Sequence, residues 1–303
     1  MRIMGQDSPA TMVKSFKVIK KVNFEEPRSE KRPGRATMQS VVQRPKPHAG
    51  EMIIYGLLII LLMTGTYRRN TVWSSDLELW TDCVKKSPNK GRPHYNLADA
   101  FLEEGKYREA ISHLNDALRI NPNYAEAHNN LGLVFFYQGK YQEATNQYKE
   151  ALRINPNYAR AHNNLGLALS YQGKYQEAIP HLNDAVRLIP NYAEAHNNLG
   201  LVLFYQGEHQ EAISHLNEAL RINPNYAEAH NNLANIFFYQ GRYQEAIDHY
   251  KEALRINPGF AGAHNNLGKV YLMVGNRDLA LKEYEILKTI NPGLANALYQ
   301  KIK

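Results

Sequence analysis

Cysteine is almost absent from the sequence, since Cys83 is the single one among 303 residues. A disulfide and a multi-cysteine zinc site each need at least two cysteines, so the sequence excludes both. A phosphate-binding loop, a HExxH zinc motif and a GxGxxG dinucleotide motif are also missing. Polar residues recur at regular intervals instead of forming one singular cluster. We therefore predict no catalytic residue, no cofactor and no enzymatic activity.

Excess charge of one sign is missing from most of the chain. The total is +7, but residues 1–50 hold eleven Lys and Arg against four Asp and Glu, whereas the other 253 residues hold 25 of each sign. Binding to a phosphate backbone requires clustered positive charge. We therefore predict that the folded part binds no nucleic acid. Residues 1–50, which are basic and interrupted by prolines, are predicted to form a mostly disordered tail.

Long hydrophobic runs are rare, and the one at residues 52–67 contains no charged side chain. Sixteen helical residues reach roughly 24 Å, slightly less than a hydrocarbon core of about 30 Å, and Arg68 and Arg69 could extend the span. We predict a transmembrane helix at residues 51–69. A signal-peptide core and a buried soluble helix are the alternatives. Five Lys or Arg precede the run and four follow it, which slightly favours repeats outside the cytoplasm.

A period of 34 residues begins at residue 91 and continues to residue 294. We number the places within each repeat from one to thirty-four. Place seven is always Leu, place eight Gly or Ala, place fifteen Gly, place twenty Ala and place thirty-two Pro. Repeats of this length are typical of stacked helical hairpins. The six repeats are residues 91–124, 125–158, 159–192, 193–226, 227–260 and 261–294.

The repeated small residues and helix breakers explain how each repeat could fold. Small residues at places eight and twenty allow two helices to approach closely, Gly at place fifteen ends the first helix and Pro at place thirty-two ends the second. Asn123, Asn191 and Asn225 are predicted to cap the helices that follow. Residues 70–90 are predicted to form a leading half-repeat, and residues 295–303 a trailing cap helix with Leu298 and Ile302 facing inward.

The repeated pattern closely resembles the tetratricopeptide repeat. The resemblance implies an all-α solenoid, a right-handed superhelix of helix–turn–helix repeats, whose first helices line a concave groove. It also implies a role in protein–protein interaction, so we expect the partner to be a protein or peptide segment. Place four, where the family commonly has Trp, is His in all six repeats.

Two rows of side chains are candidates for the binding groove. A primary amide both donates and accepts hydrogen bonds, so it can bind a peptide backbone without reading side chains. The row at place six resembles the asparagine ladder in the repeat groove of protein O-GlcNAc transferases. The alternative is that these asparagines only bond neighbouring helices. The candidates are Asn96, Asn130, Asn164, Asn198, Asn232 and Asn266 at place six, and Tyr137, Tyr171, Tyr205 and Tyr239 at place thirteen.

Histidine is frequent, with twelve in the chain and six of them at place four. Histidines of successive repeats should lie roughly 10 Å apart in a stacked solenoid, which is too far for bonds of about 2 Å to one zinc ion. We therefore predict packing histidines and no metal site.

The junction from Tyr67 to Ala98 shows a second resemblance. Trp73, Leu79-Trp80, Pro88 and Asn96-Leu97 look like the junction between the last membrane helix and the repeats in the tetratricopeptide-and-transmembrane O-mannosyltransferase family. Those enzymes have many membrane helices, whereas this sequence has one apolar run, so no catalytic residue carries over. We expect a single-pass, membrane-anchored scaffold. The alternative is an accessory part, or a truncated C-terminal portion, of a membrane glycosyltransferase.

Overall fold

The structure, a computed structural model, describes residues 75–303. This part is all helical, with fourteen helices and no strand. The predicted tail at residues 1–50 and the predicted membrane helix at residues 51–69 lie outside it. The helices are α1 (Asp76–Lys86), α2 (Gly91–Glu103), α3 (Tyr107–Ile120), α4 (Ala125–Tyr137), α5 (Tyr141–Ile154), α6 (Ala159–Tyr171), α7 (Tyr175–Leu188), α8 (Ala193–Gln206), α9 (His209–Ile222), α10 (Ala227–Tyr239), α11 (Tyr243–Ile256), α12 (Ala261–Met273), α13 (Arg277–Ile290) and α14 (Pro292–Ile302).

Each repeat is a hairpin of two helices, and each hairpin packs on the next one in chain order. The short connections within the hairpins depend on Gly at place fifteen. Gly139 and Gly207, for example, have φ of 73° and 90°, in the left-handed region that a Cβ atom disfavours. A Gly after the first helix therefore allows the chain to reverse at once, and the predicted all-helical solenoid is confirmed.

Small residues at place eight allow close contact between the two helices of a hairpin. A Cβ atom added to Gly132 would lie 2.6 Å from Cε1 of Tyr148, and one added to Gly166 would lie 2.5 Å from Cγ of Leu182. Neither distance is possible for real side chains without a shift of the partner. Glycine at this place therefore permits a large residue at place twenty-four of the facing helix.

One continuous core runs from Phe136 in the second repeat to Ile302 in the last helix. The alanines at place twenty are completely buried, Ala144 in this core and Ala110 in a smaller cluster formed by the first repeat and α4. Leu298 and Ile302 of α14 are also buried, as their spacing predicted. At the other end α1 packs on α2 and contains no buried residue. The helix at the C-terminal end thus covers the core more completely than the helix at the N-terminal end.

The predicted asparagine caps were wrong. The helices begin one residue later, after Tyr124, Tyr192 and Tyr226, and none of these N-caps carries a side-chain hydrogen bond. The Oδ1 atom of Asn121 instead accepts a bond of 3.2 Å from the backbone N–H of Asn123. Asn223 bonds the N–H of Asn225 in the same way, whereas Ile189 stands at this position before the fourth repeat.

Candidate protein-binding face

The first helices of adjacent repeats contact each other directly, and more extensively than the second helices of adjacent repeats do. In a stack of hairpins the more closely spaced layer lies on the inner side of the curve. We call the surface formed by α2, α4, α6, α8, α10 and α12 the concave face. Places six, nine and thirteen lie on one side of each first helix, because residues three, four or seven apart share a helix face.

The place-six asparagines do not stand free on the concave face. Asn164, Asn198 and Asn232 each donate from Nδ2 to the Oδ1 atom of the place-five asparagine one repeat earlier, over 2.9–3.0 Å. Each place-five asparagine in turn donates to its place-six neighbour over 3.3–3.4 Å. The result, which we call the asparagine chain, runs through Asn232, Asn197, Asn198, Asn163, Asn164, Asn129 and Asn130, and ends on Asp99.

The asparagine chain shows that these amides connect repeats, as the alternative interpretation predicted. Asn130 and Asn198 are about 5–6% exposed, so little of either side chain remains accessible. Asn164 and Asn232 are half-buried. A primary amide carries two N–H groups, and each of these residues uses one in the chain. The half-buried Asn164 and Asn232 can therefore still donate a hydrogen bond to a partner, whereas the buried Asn130 and Asn198 mainly connect repeats.

The two end members of the row have other surroundings. Asn96 lies in a small pocket at the N-terminal end, between α1 and α2, beside Trp80 and Asp99. Asn266 donates over 3.0 Å to Asn235 at place nine, and its Oδ1 atom accepts from Lys269 over 3.1 Å. Burial, assisted by the nearby Lys301, lowers the pKa of Lys269 to about 8. The row is thus regular only in its middle.

Three of the tyrosines at place thirteen pack against a tyrosine of the repeat before them. Ring centroids are 5.9 Å apart for Tyr107 and Tyr137, 5.1 Å for Tyr141 and Tyr171, and 5.3 Å for Tyr175 and Tyr205. The place-seventeen residue of one repeat thus supports the place-thirteen residue of the next.

Exposure along the place-thirteen row increases towards the C-terminal repeats. Tyr137 and Tyr171 are half-buried, whereas Tyr205 is 39% and Tyr239 57% exposed. Place thirteen of the sixth repeat is Met273, which is 58% exposed, and Val274 beside it is 46% exposed. Large apolar side chains on a surface mark contact sites when they are contiguous. Met273 was not among the predicted site residues because only aromatic residues were sought in this row.

An acidic residue at place two, Glu194, also lies among these side chains, although the repeat pattern did not identify it as a site residue. Glu194 accepts a hydrogen bond of 3.0 Å from Nδ2 of Asn163. Burial nevertheless raises the pKa of the Glu194 carboxyl, and this effect outweighs the hydrogen bond and the nearby Arg160. Burial also raises the pKa of Tyr137, to about 12, so this hydroxyl stays protonated and able to donate. The concave face therefore combines amides, hydroxyls and a partly desolvated carboxyl.

The place-four histidines each bond a residue nineteen positions later, on the second helix of the same repeat. In four repeats that residue is also histidine, and the two Nδ1 atoms lie 3.0–3.2 Å apart. In the second repeat it is Gln147, and in the sixth Glu283. The Nε2 atom of each place-four histidine faces the carbonyl of the proline before the repeat, over 3.0–3.4 Å. The predicted packing role is thus performed through specific polar contacts.

A carboxylate joins two of these histidine pairs. His94, His113 and Asp116, and likewise His162, His181 and Asp184, offer ligand atoms that all lie within 4.8 Å of one another. Burial lowers the pKa of His113 and His181, and the partner histidine adds to this effect. These groups were missed at the level of sequence because only histidines of successive repeats were compared. The spacing His-x18-His-x2-Asp within one repeat is the signal that could have revealed them.

Among residues 75–303, no helix combines the length and apolar character that crossing a bilayer requires. The apolar run at residues 52–67 precedes the described part of the chain.

Comparison with protein families agrees with the repeat pattern. A family model described as TPR repeat matches residues 98–138, 132–173 and 168–207. Two further models described as tetratricopeptide repeat match residues 191–258 and 237–303. Together the matches extend without a gap from residue 98 to residue 303.

Similarity to curated proteins is confined to a short segment. Protein O-mannosyl-transferase TMTC1 of Homo sapiens, and that of Mus musculus, are each 34% identical over 62 residues. That segment is 20% of this chain and 7% of either relative. The chain therefore matches only a small fraction of the length of these relatives, and the likeness indicates a shared segment and not a shared activity.

Similarity to solved structures covers most of the solenoid. The Cut9–Hcn1 hetero-tetramer of APC/C aligns with a TM-score of 0.70 at 23% identity, over 77% of this chain and 46% of that one. PilF of Pseudomonas aeruginosa aligns with a TM-score of 0.61 at 27% identity, over 70% of this chain and 97% of that one. The type IV pilus biogenesis factor PilW aligns with a TM-score of 0.64 at 22% identity, over 69% of this chain and 98% of that one. These likenesses show the fold.

Proposed function

Because the chain belongs to the tetratricopeptide-repeat proteins, we propose that it is a scaffold that binds an extended protein segment along its concave face. The observation that carries the proposal is a set of exposed large apolar side chains at the C-terminal ends of α8, α10 and α12, which we call the apolar patch: Tyr205, Tyr239, Met273 and Val274. Aromatic residues and methionine are enriched where proteins bind each other. Half-buried amides beside the patch can bond the backbone of a partner.

The C-terminal half of the concave face is the most favourable part. Tyr239 stacks edge-on against Phe204, with ring centroids 5.2 Å apart, so one of its faces remains open. A ring that is already held by a neighbour loses little conformational freedom when a partner packs on it. Towards the N-terminal end the equivalent rings, Tyr137 and Tyr171, are half-buried and offer less surface to a partner. We therefore place the main contacts on α8, α10 and α12.

Photo-crosslinking tests this proposal even when the partner is unidentified. A benzophenone amino acid replaces Tyr239 in the full chain, and the matched control carries it in place of Lys251, which is exposed on the second helix of the same repeat. We expect a discrete crosslinked polypeptide from position 239 and none from position 251. Equal yields at both positions, or no adduct at position 239 in the cells that make the protein, would contradict the proposal.

The asparagine row has its own test. The triple substitution of Asn164, Asn198 and Asn232 by alanine should weaken binding of the captured partner if the row reads a peptide backbone. Each lost bond contributes roughly 0.5–1.5 kcal/mol, so three together should lower the affinity about tenfold to more than a thousandfold, measured at a temperature where the variant is still folded. A lower melting temperature with unchanged affinity would leave these asparagines as connections between repeats only.

We also infer that the apolar run at residues 52–67 tethers the scaffold to a membrane. Its length and lack of charge support this inference. The full chain should sediment with membranes and resist extraction by alkaline carbonate, whereas a chain with residues 52–67 deleted should be released. If alkaline carbonate also releases the chain that retains residues 52–67, the inference of a membrane tether is wrong.

A second candidate function follows from the TMTC1 segment. The 34% identity over 62 residues favours an accessory or C-terminal part of an O-mannosyltransferase-like membrane protein. A gene for a multi-span membrane protein directly upstream, whose product co-purifies with this chain, would support it. If no gene for a multi-span membrane protein lies beside this one and no such protein co-purifies, the scaffold function is favoured instead.

A further inference from the structure

Two places in the stack bring two imidazoles and a carboxylate together between the helices of one hairpin. In the first repeat His94 lies on α2, and His113 and Asp116 lie on α3. The Nδ1 atoms of the two histidines are 3.1 Å apart, and Nδ1 of His94 is 3.7 Å from Oδ2 of Asp116. In the third repeat the equivalent distances are 3.2 Å for His162 and His181, and 3.9 Å for His162 and Asp184.

The first histidine of each group has its proton position determined by the fold. Nε2 of His94 faces the carbonyl oxygen of Pro88 over 3.0 Å, and Nε2 of His162 faces that of Pro156 over 3.0 Å. A carbonyl can only accept, so Nε2 carries the hydrogen, and in the neutral ring Nδ1 has a free lone pair. A backbone carbonyl that orients the remote nitrogen of a ligating imidazole is a recurring feature of metal sites. The lone pair points into the group.

The carboxylates are shared between an arginine and the histidines. The Oδ1 atom of Asp116 accepts from Arg119 over 3.3 Å, and Oδ1 of Asp184 accepts from Arg187 over 2.7 Å. Oδ2 is the atom that approaches the histidine in both cases. Side-chain exposure is 7% for His94 and 36% for Asp116, so the group is buried on one side and open to solvent on the other.

We propose that each group binds one divalent cation of the zinc type through the two Nδ1 atoms and one carboxylate oxygen. Two ligands at about 2.1 Å in a tetrahedral arrangement lie about 3.4 Å apart, close to the separations of the imidazole nitrogens. Oδ2 of each carboxylate lies 3.7–3.9 Å from Nδ1 of the first histidine, and all three ligand atoms lie within 4.8 Å of one another, so side-chain rotation can bring them to this spacing. Imidazole with carboxylate suits zinc better than magnesium or calcium, which prefer oxygen ligands alone.

Binding requires a change in one proton position and no other reactant. Without metal, Nδ1–H of the second histidine donates to the lone pair of the first. When the cation enters, that hydrogen moves through water to Nε2 of the same ring, and both Nδ1 lone pairs become ligands. Both rings stay neutral, and a water molecule from the open side completes the four ligands. The cation then joins the two helices of the hairpin.

The other repeats lack the second histidine, the aspartate or both, and they supply natural comparisons. In the second repeat Gln147 replaces the second histidine and bonds His128 over 2.8 Å. In the fourth repeat the acid is Glu218, and both of its oxygens are bonded by Arg221. In the sixth repeat Nδ1 of His264 already faces Glu283 over 2.5 Å. Among residues 75–303 the complete group therefore occurs in the first and third repeats only.

The test is zinc binding by the untagged full chain in mild detergent, measured by equilibrium dialysis against zinc chloride and elemental analysis. We expect two tightly bound zinc ions for the natural chain, one each for His113→Gln and His181→Gln, and none for the double variant. Glutamine is chosen because the second repeat accommodates it at this place. His249→Gln, in a histidine pair without the aspartate, is the matched control and should still bind two.

Two further measurements keep the outcome clear. Circular dichroism checks that each variant remains helical, and Asp116→Asn with Asp184→Asn tests the sites again if a glutamine variant unfolds. Cobalt in place of zinc should give the visible absorption of a tetrahedral nitrogen and oxygen site, and the double variant should lose it. A natural chain that retains no zinc overturns the proposal, and so does a double variant that binds as much as the natural chain. If His113→Gln or His181→Gln still binds two zinc ions, the site in the altered repeat is refuted.

Discussion

Replacing Asn198 by alanine would remove the central link of the asparagine chain. In the structure its Nδ2 donates to Asn163 over 2.9 Å, and its Oδ1 accepts from Asn197 over 3.4 Å. Asn163 is 0% and Asn197 5% exposed, so water does not readily replace the lost partners. A buried polar group left without a partner costs about 1–3 kcal/mol. We expect a destabilisation of that size, mostly from the shorter bond to Asn163.

Thermal and urea unfolding of the full chain, followed by circular dichroism, measures this effect. For a solenoid of this size 1 kcal/mol corresponds to about 2–4 °C in the melting temperature, so a fall of several degrees is expected. Asn163→Ala and the double variant complete a cycle whose coupling energy should be about 0.5–1.5 kcal/mol. Asn146, which is exposed on α5 and bonds only Gln142 in the structure, is the matched control.

The reasoning would be refuted by a coupling energy indistinguishable from zero. In that case Asn198 and Asn163 would contribute independently, and the bond between repeats would not stabilise the stack. Because alanine forms helices more readily than asparagine, Asn146→Ala should not destabilise the chain, and a loss as large as that of Asn198→Ala would show that the effect does not depend on the asparagine chain.

Three other predictions concern the packing, the histidines and the apolar run. Gly200→Ala should destabilise by about 1–3 kcal/mol in urea unfolding, because the new Cβ would lie 2.8 Å from Leu216 and 3.0 Å from the Ala212 carbonyl; a change below about 0.5 kcal/mol would show that the hairpin can widen. Burial lowers the pKa of His249, so its contribution to stability is complete above about pH 6.5 and is lost as the pH falls towards the lower folded pKa; His249→Gln should flatten this dependence, and an unchanged slope would contradict it. Repeats outside the cytoplasm should resist external protease only until the envelope is opened, whereas repeats recovered from the cytosol would reverse this topology.

The repeat architecture could be predicted because its signals are local. A left-handed Gly such as Gly139 and a helix-ending Pro act within a few residues, and the 34-residue period shows where they recur. The helix starts were less predictable. Asn123 has the chemistry of a cap, but Asn121 takes the nearby N–H for a turn, and such competition between neighbouring side chains is decided by backbone geometry.

The candidate site was only partly predictable, because the repeat pattern groups its side chains into rows but does not show their partners. The sequence identified Asn198 and Tyr239 as members of regular rows. It could not show that Asn198 is bonded to the repeat before it while Tyr239 stays exposed. That difference depends on how the first helices of adjacent repeats pack on each other, which a pattern within one repeat does not describe.

The sequence by itself determined that this protein is a helical repeat array, since periodicity, glycine and proline act through local conformation. Only the tertiary structure decided which side chains meet: Asn164 with Asn129, thirty-five residues apart, and His94 with His113, nineteen residues apart. Such pairs form where two helices cross at a particular angle and register. Neither quantity is encoded in a local pattern, because both result from the combined packing of all the residues between the helices.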